Sequence, residues 1–361
     1  MKSTEPNQTG AIVTKAPCRA DLAGSTLDLW PLYLFHPGAV TVNFAVSVMT
    51  TCRITPVKGK AIQFRSLDTR REEKFSSFDE LNRAKSFSHP IGAWLTKFFA
   101  PHGGFILETH SESPAGAGIA GSSALMIATT AALAKFTGCK LDKEQLRVIA
   151  QNVEAQIISV PTGCQDYYPA LHGGASAVRL DVDGIHREII DIPADEIDSR
   201  FLLVYTGAPR QSGINNWEVF KAHIDGDKTV IRNFQHISEI SRAMRDALAS
   251  RNWNDVARLL RQEWKLRRAN YKNISTPLLD NLIEAAMKNG GRAAKVCGAG
   301  GGGCAVFMVK DGAKERVAEV LRKNGGHVLP FQVAREGLKI TTSKPGTVPP
   351  PRTARPMAAG K

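Results

Sequence analysis

The sequence predicts an α+β protein of two packed lobes, and three observations carry that expectation. At 361 residues the chain is longer than one hydrophobic core ordinarily supports. Its first third reads as strands, with β-branched residues alternating with polar ones and Pro-Gly or Lys-Gly turns between them. Its second half is dominated by long stretches with Leu, Ile or Ala at three-and-four spacing, framed by short apolar runs.

Residues 1–10 form a polar arm. Strands are expected at residues 11–14, 39–48, 51–57 and 61–64, pairing as an antiparallel sheet. Residues 89–99 read as a helix and 104–110 as a further strand. A helix-forming stretch covers 124–136, and a second helix starts at Asp142 with Asp142 and Gln145 as a capping box. Leu146, Ile149, Ala150, Val153 and Ile157 make its buried face; Glu154 lies beside that face, where a carboxylate needs a partner, Mg²⁺ among the candidates. A strand at 173–180 closes a first lobe spanning 11–190. The strand at 201–206 opens a second lobe, 198–340, with helices near 229–250, 253–271 and 278–289, then strand 303–309, helix 313–324 and strand 327–333. From residue 341 the Pro-rich, basic end reads as a disordered tail.

Composition excludes several classes. The formal net charge of +13 is partly carried by Lys344, Arg352, Arg355 and Lys361 in the tail. The remaining excess is scattered apart from Lys265-Leu-Arg-Arg268 and Lys272, which reads as a solvated helix face or a phosphate contact. No basic-aromatic motif supports nucleic-acid binding, and the apolar runs are too short or interrupted to span a bilayer. The N-terminus lacks the apolar core of a secretion signal. Six cysteines without a C-x-x-C pair read as reduced thiols, so the expected location is the cytoplasm, as a monomer or homodimer with no membrane or nucleic-acid partner.

Residues 114–124, Pro-Ala-Gly-Ala-Gly-Ile-Ala-Gly-Ser-Ser-Ala, run straight into the 124–136 helix. Gly116, Gly118 and Gly121 allow positive φ and close approach, so that the N–H groups of a loop comprising Pro114, Ala117, Ile119, Ala120 and Ala124 can face one ligand. The helix end adds free N–H donors and a positive dipole, while Ser122 and Ser123 place hydroxyls in its first turn. This composition suits a polyphosphate but is neither a Walker loop nor a dinucleotide fingerprint, and by itself a structural glycine turn reads equally well. A second glycine run, Gly298-Ala-Gly-Gly-Gly-Gly303, is too rich for a simple turn and lets backbone approach a substrate.

With Ala16-Pro-Cys-Arg-Ala-Asp-Leu-Ala-Gly-Ser-Thr-Leu-Asp28 near the start and Lys295-Val-Cys-Gly-Ala-Gly-Gly-Gly-Gly-Cys304 near the end, the central loop completes three motifs in order. Together they resemble the GHMP kinases, the family of galactokinase, homoserine kinase and mevalonate kinase, over residues 15–309. The resemblance implies a ribosomal-protein-S5-like first lobe, a ferredoxin-like second lobe and a site between them that uses ATP and Mg²⁺. It assigns Asp166 to the acceptor proton, Arg19 to the acid and the developing charge, Ser122 (or Ser123) and Glu154 to Mg²⁺, and Asp28 to sugar hydroxyls. It also points to Gly207 and Arg210 in a loop closing on the acceptor, and to Gly298, Gly300, Gly301 and Lys265 on the substrate. The runs Glu263-Trp-Lys-Leu-Arg-Arg268 and Ala20-Asp-Leu-Ala-Gly24 are most similar to the heptose-7-phosphate kinase and fucokinase branch, so the expected acceptor is a sugar or sugar phosphate. A non-sugar alcohol, and a sensor that binds both ligands without transfer, are the alternatives. Cys18 in place of the family's usual Gly, and Ser25-Thr-Leu27 in place of a more glycine-rich run, are departures that touch the sugar pocket.

Overall fold

The computed structural model describes residues 10–208 and 212–343. Alternation of apolar and polar side chains produces long strands at the start: β1 (Ile12–Ala23), β2 (Ala39–Val57), β3 (Ile62–Ser66) and β4 (Arg71–Phe75). Two expected strands, 39–48 and 51–57, are therefore one continuous β2. Helices α1 (Phe78–Arg83) and α2 (Pro90–Phe99), strand β5 (Gly104–Ser111), helices α3 (Gly121–Thr137), α4 (Lys143–Ile158) and α5 (Tyr167–His172), and strands β6 (Ala175–Asp181) and β7 (Gly184–Ile190) complete the first lobe. The eight-stranded sheet, whose last strand in the chain is β12 (Lys339–Thr342), runs β12-β1-β2-β5-β3-β4, with β6 on β2 and β7 on β6. It is antiparallel except that β3 pairs β5 in parallel, a departure from the all-antiparallel expectation. The outermost strand of that path, β12, pairs antiparallel with β1. The chain thus returns to the first lobe at its end, and the expected tail loses its first two residues, Thr341 and Thr342, to the sheet; residues 344–361 lie outside the described residues.

Helix α3 is buried almost all round, as expected for a helix rich in Ala with no polar face, and lies between the sheet and its neighbouring helices. Helix α4 starts with the capping box of Asp142 and Gln145 that the sequence predicts.

The second lobe comprises α6 (Ala194–Arg200), β8 (Phe201–Tyr205), α7 (Ser212–Ile224), α8 (Lys228–Ala249), α9 (Trp253–Asn270), α10 (Pro277–Lys288), β9 (Gly291–Val296), β10 (Cys304–Val309), α11 (Lys314–Lys323) and β11 (His327–Leu329). Its sheet is antiparallel in the order β11-β8-β10-β9, the ferredoxin-like arrangement. The two lobes share a core: Phe44 of β2 packs against Phe201 of β8, with ring centroids 5.6 Å apart, and Met244, Leu260 and Val306 join the cluster built on β1 and β2. No helix among the described residues is long and apolar enough to cross a membrane. All six cysteines are free thiols.

Candidate active site

A cleft of about 360 Å³ lies where the two lobes meet. Its wall on the first lobe is the loop between β5 and α3. Gly116 (φ +68°) and Gly118 (φ +78°) take left-handed conformations there, and so does Ala120 (φ +61°), the residue before α3. Gly121 is needed for a different reason from the one expected. It is already helical, and a Cβ on it would sit 2.8 Å from that of Ser113. Since Ala120 offers no side-chain cap, the first N–H groups of α3 remain available to a ligand. Pro114, Gly116, Ala117, Gly118, Ala120, Gly121, Ser122 and Ser123 all line the cleft. Ile119 and Ala124 do not: both are buried, Ile119 accepting a bond from the Arg19 N–H at 2.9 Å, Ala124 packing in the core.

Arg19 joins this loop to the acid. It stands on β1 and is buried, donating from Nη1 to the Gly118 carbonyl at 2.7 Å and from Nε and Nη2 to Asp166 Oδ1 at 2.9 and 2.7 Å. Burial works against its charge, but the carboxylates of Asp166 and Asp21 outweigh that and raise its pKa. Asp166 precedes α5 without capping it, so its side chain is not spent on its own backbone. Its Oδ2 has no hydrogen-bond partner among the described residues, and the side chain is 23% exposed, on the cleft.

Glu154 enters from α4. Tyr167 donates to its Oε2 at 2.5 Å and Ser123 at 2.9 Å. Burial pushes its carboxyl above the usual range, partly offset by hydroxyl bonds from Tyr167, Ser122 and Ser123. Ser122 is exposed on the cleft and Ser123 buried. Asp28 accepts a bond from the Gln165 N–H at 2.9 Å, and burial, followed by the neighbouring Asp166 charge, pushes its carboxyl up to about 6. Gly163 makes its room: a Cβ there would fall 2.0 Å from Asp28 Oδ2.

The acceptor end differs from expectation in several places. Gly298 lines the cleft, but Gly300 and Gly301 pack against Ile274, whose carbonyl accepts from the Gly301 N–H at 2.9 Å. Gly207 turns the chain beside His327 and is not on the cleft wall. Lys265 is exposed to solvent away from the cleft, and its place is taken by Arg267, two positions further along α9 and buried. Arg210 lies outside the described residues. Thr26, Gln165, Asn216 and Arg267 on the cleft wall have no counterpart in the expected set. For Arg267 a signal existed: Val256, Leu260, Glu263 and Arg267 occur at helical spacing, so the charged pair continues the apolar stripe.

Comparison with known proteins bears on the family and the fold. The profile of the GHMP kinases N terminal domain matches residues 88–174, and that of the GHMP kinases C terminal matches 244–327. The chain is 26% identical over 338 residues to a D-glycero-α-D-manno-heptose 7-phosphate kinase of Campylobacter jejuni, covering 91% of this chain and 98% of the relative. It is 24% identical to an L-fucokinase/L-fucose-1-P guanylyltransferase of Bacteroides fragilis, covering 86% of this chain and 36% of that longer protein. The fold matches the crystal structure of Lactococcus lactis galactokinase complexed with galactose, with a TM-score of 0.76 at 18% identity over 92% of this chain and 96% of the other. A D-glycero-D-manno-heptose 1-phosphate kinase from Bacteroides thetaiotaomicron gives a TM-score of 0.75 at 20% identity over 92% and 99%.

Proposed function

We propose, from the premise that the chain belongs to the GHMP kinase family, that it transfers the γ-phosphate of ATP to a hydroxyl of a sugar or sugar phosphate. One observation carries the reading: a single guanidinium, Arg19, ties the carbonyl of Gly118 in the phosphate loop to the carboxylate of Asp166. The donor and the acceptor's proton are thereby held in one frame, and phosphoryl transfer asks for little else than alignment and charge stabilisation.

The roles follow from the chemistry of each group. The cleft-facing loop amides not already paired, as that of Ala117 is with the Pro114 carbonyl, and the start of α3 receive the phosphates. Asp166, steadied through Oδ1, keeps Oδ2 for the proton of the attacking hydroxyl. Asp28 takes vicinal hydroxyls of a polyol, each carboxylate oxygen accepting more than one bond. Mg²⁺ is ordinarily held by one or two carboxylates together with substrate phosphates, and the hard oxygens of Glu154, Ser122 and Ser123 are a donor set of that kind. When bound, the ion would neutralise charge developing on the phosphate oxygens. Six reduced thiols support a reducing compartment, the cytoplasm.

The test is ADP release with ATP and Mg²⁺ over hexoses, heptoses, their phosphates and mevalonate, alongside calorimetric binding. We expect turnover with one sugar or sugar phosphate. Turnover of mevalonate alone would move the chain to the non-sugar alcohols, and binding of ATP and a sugar without any transfer would make it a sensor. ATP with Mg²⁺ should also raise the melting temperature, and Gly118→Val, which places a β-branched residue at φ +78°, should remove that shift in a folded protein.

A further inference from the structure

Side chains of the second lobe converge on one turn of the first. The turn runs from Gly24 to Asp28, and its internal bonds are few: the Leu27 N–H reaches Gly24 O at 3.1 Å, and the Leu29 N–H reaches Thr26 O at 3.2 Å. The other bonds at Gly24, Ser25 and Thr26 come from outside the turn: within the first lobe Ser25 Oγ donates to Asp21 Oδ1 at 2.8 Å, and the rest come from the second lobe. The Gly24 N–H donates to Glu263 Oε1 at 3.2 Å. Arg267 Nη1 donates to the Ser25 carbonyl at 2.9 Å and to Thr26 Oγ1 at 3.0 Å. Lys295 Nζ donates to Ser25 Oγ at 3.1 Å, and Thr26 Oγ1 donates to Asn216 Oδ1 at 3.0 Å. The remaining arm of Arg267, Nη2, reaches the Gly298 carbonyl at 2.7 Å.

The turn needs this restraint. Thr26 is held at φ +75°, a strained conformation for a β-branched side chain that persists only where its surroundings impose it. Glu263 and Arg267 are both buried and one helical turn apart on α9. Both Arg267 Nη atoms already donate to protein oxygens, and Glu263 does not line the cleft.

We propose that Glu263 and Arg267 are positioning residues for the acceptor: by gripping Gly24, Ser25 and Thr26 they set where Asp28 stands in the cleft, so that α9 of the second lobe determines acceptor recognition by a turn of the first. The proposal rests on the reading of Asp28 as the acceptor-binding group. It separates the two substrates physically, because the phosphate loop at 116–123 receives no bond from either residue.

Hydrogen–deuterium exchange of the unliganded full chain tests the grip without any substrate. In Arg267→Gln the amides of residues 24–29 should exchange about tenfold faster, while those paired along β2 keep their wild-type rates. With the sugar turned over in the panel assay, KM for that acceptor should rise about tenfold or more, with KM for ATP within twofold. Arg267→Lys, which keeps a cation but loses the fork between Ser25 and Gly298, should recover only part of the loss. If Arg267→Gln does not fold, Thr26→Gly serves instead; it removes the hydroxyl and the strain without touching α9, and should loosen the same amides and raise the same KM. Unchanged exchange at 24–29 in an active variant, or an equal rise of both KM values, overturns the proposal and leaves the kinase reading standing. Faster exchange in a protein whose wild type phosphorylates nothing on the panel removes the acceptor role together with that reading, although the contact itself is real.

Discussion

Two ion pairs begin two residues apart on β1 and do different work. Arg19 and Asp21 share a face of the strand, as the period of two requires. Arg19 pairs with Asp166 at the cleft, where the carboxylate keeps contact with solvent and one oxygen without a protein partner. Asp21 pairs with Lys295 of β9 where neither side chain is exposed, and it also accepts from Ser25 Oγ at 2.8 Å and the Gly298 N–H at 2.9 Å. Burial alone would raise the Asp21 carboxyl, but Lys295, Arg19 and Arg267 together hold it well below the usual range. One pair is left half open for a reactant and the other is saturated, welding the lobes; saturation, more than burial, separates a fastener from a working group.

The largest effect that can break this comparison is at Asp166. Asp166→Asn keeps the shape and the bonds to Arg19 but removes the charge that receives the hydroxyl proton, so kcat should fall by roughly 10²–10⁴ with ATP affinity retained. Steady-state kinetics with a calorimetric check on nucleotide binding reads it. A change of less than tenfold would mean that the acceptor's proton leaves by another route.

The fastener should answer in stability instead. Lys295→Met removes the cation bonded to Asp21 and leaves that buried carboxylate short of a partner, a situation that costs about 3–5 kcal/mol, or a fall in Tm of roughly 5–15 °C. Replacing both members, Asp21→Asn with Lys295→Met, should return part of that loss, because no lone charge remains. A single variant that melts with the wild type would show that Ser25 and Gly298 satisfy Asp21 unaided.

The same contrast explains what could be read from the sequence. The three motifs, parts of β1, β2, β3, β5 and β6 and the long helices of the second lobe were legible, because periodicity and glycine spacing are local, whereas β4 and β7 were not expected. Arg19, Asp166, Glu154 and Asp28 converge on the cleft as the motifs imply. Gly300, Gly301, Gly207 and Lys265 were assigned from motif context, and three-dimensional packing sends them elsewhere: against Ile274, beside His327 or into solvent. Arg267 was missed because Lys265-Leu-Arg-Arg268 looks like one basic patch unless the helical spacing from Val256 is followed, which turns Arg267 inward and leaves Lys265 outside. The αL residues Thr26 and Ala120 carry no sequence signal, because their conformations are imposed by distant contacts and not by their own propensities.

The smallest expected effect concerns Asp28, and it asks whether the cleft side of the comparison titrates as its geometry demands. With its carboxyl at about 6 in the free protein, Asp28 is ionised above that pH; below it the carboxyl takes up a proton and loses the charge and part of the accepting capacity that hold the hydroxyls. The acceptor kcat/KM reports the free enzyme, so it should fall about tenfold between pH 8 and pH 5, and Asp28→Asn should be low and flat over the same range. Stability runs the other way. The folded value lies above the unfolded value of 3.8, so the native state holds the proton more tightly; that contribution is complete below about pH 4 and is lost as the pH rises through about 6. Asp28→Asn, neutral throughout, should therefore melt above the wild type at pH 8 and lose that advantage by pH 4, as differential scanning calorimetry at the two pH values would show. If the kinetic break and the stability difference both stay absent between pH 4 and 8, Asp28 is ionised throughout, and the burial that distinguishes it from an ordinary cleft carboxylate is relieved by solvent.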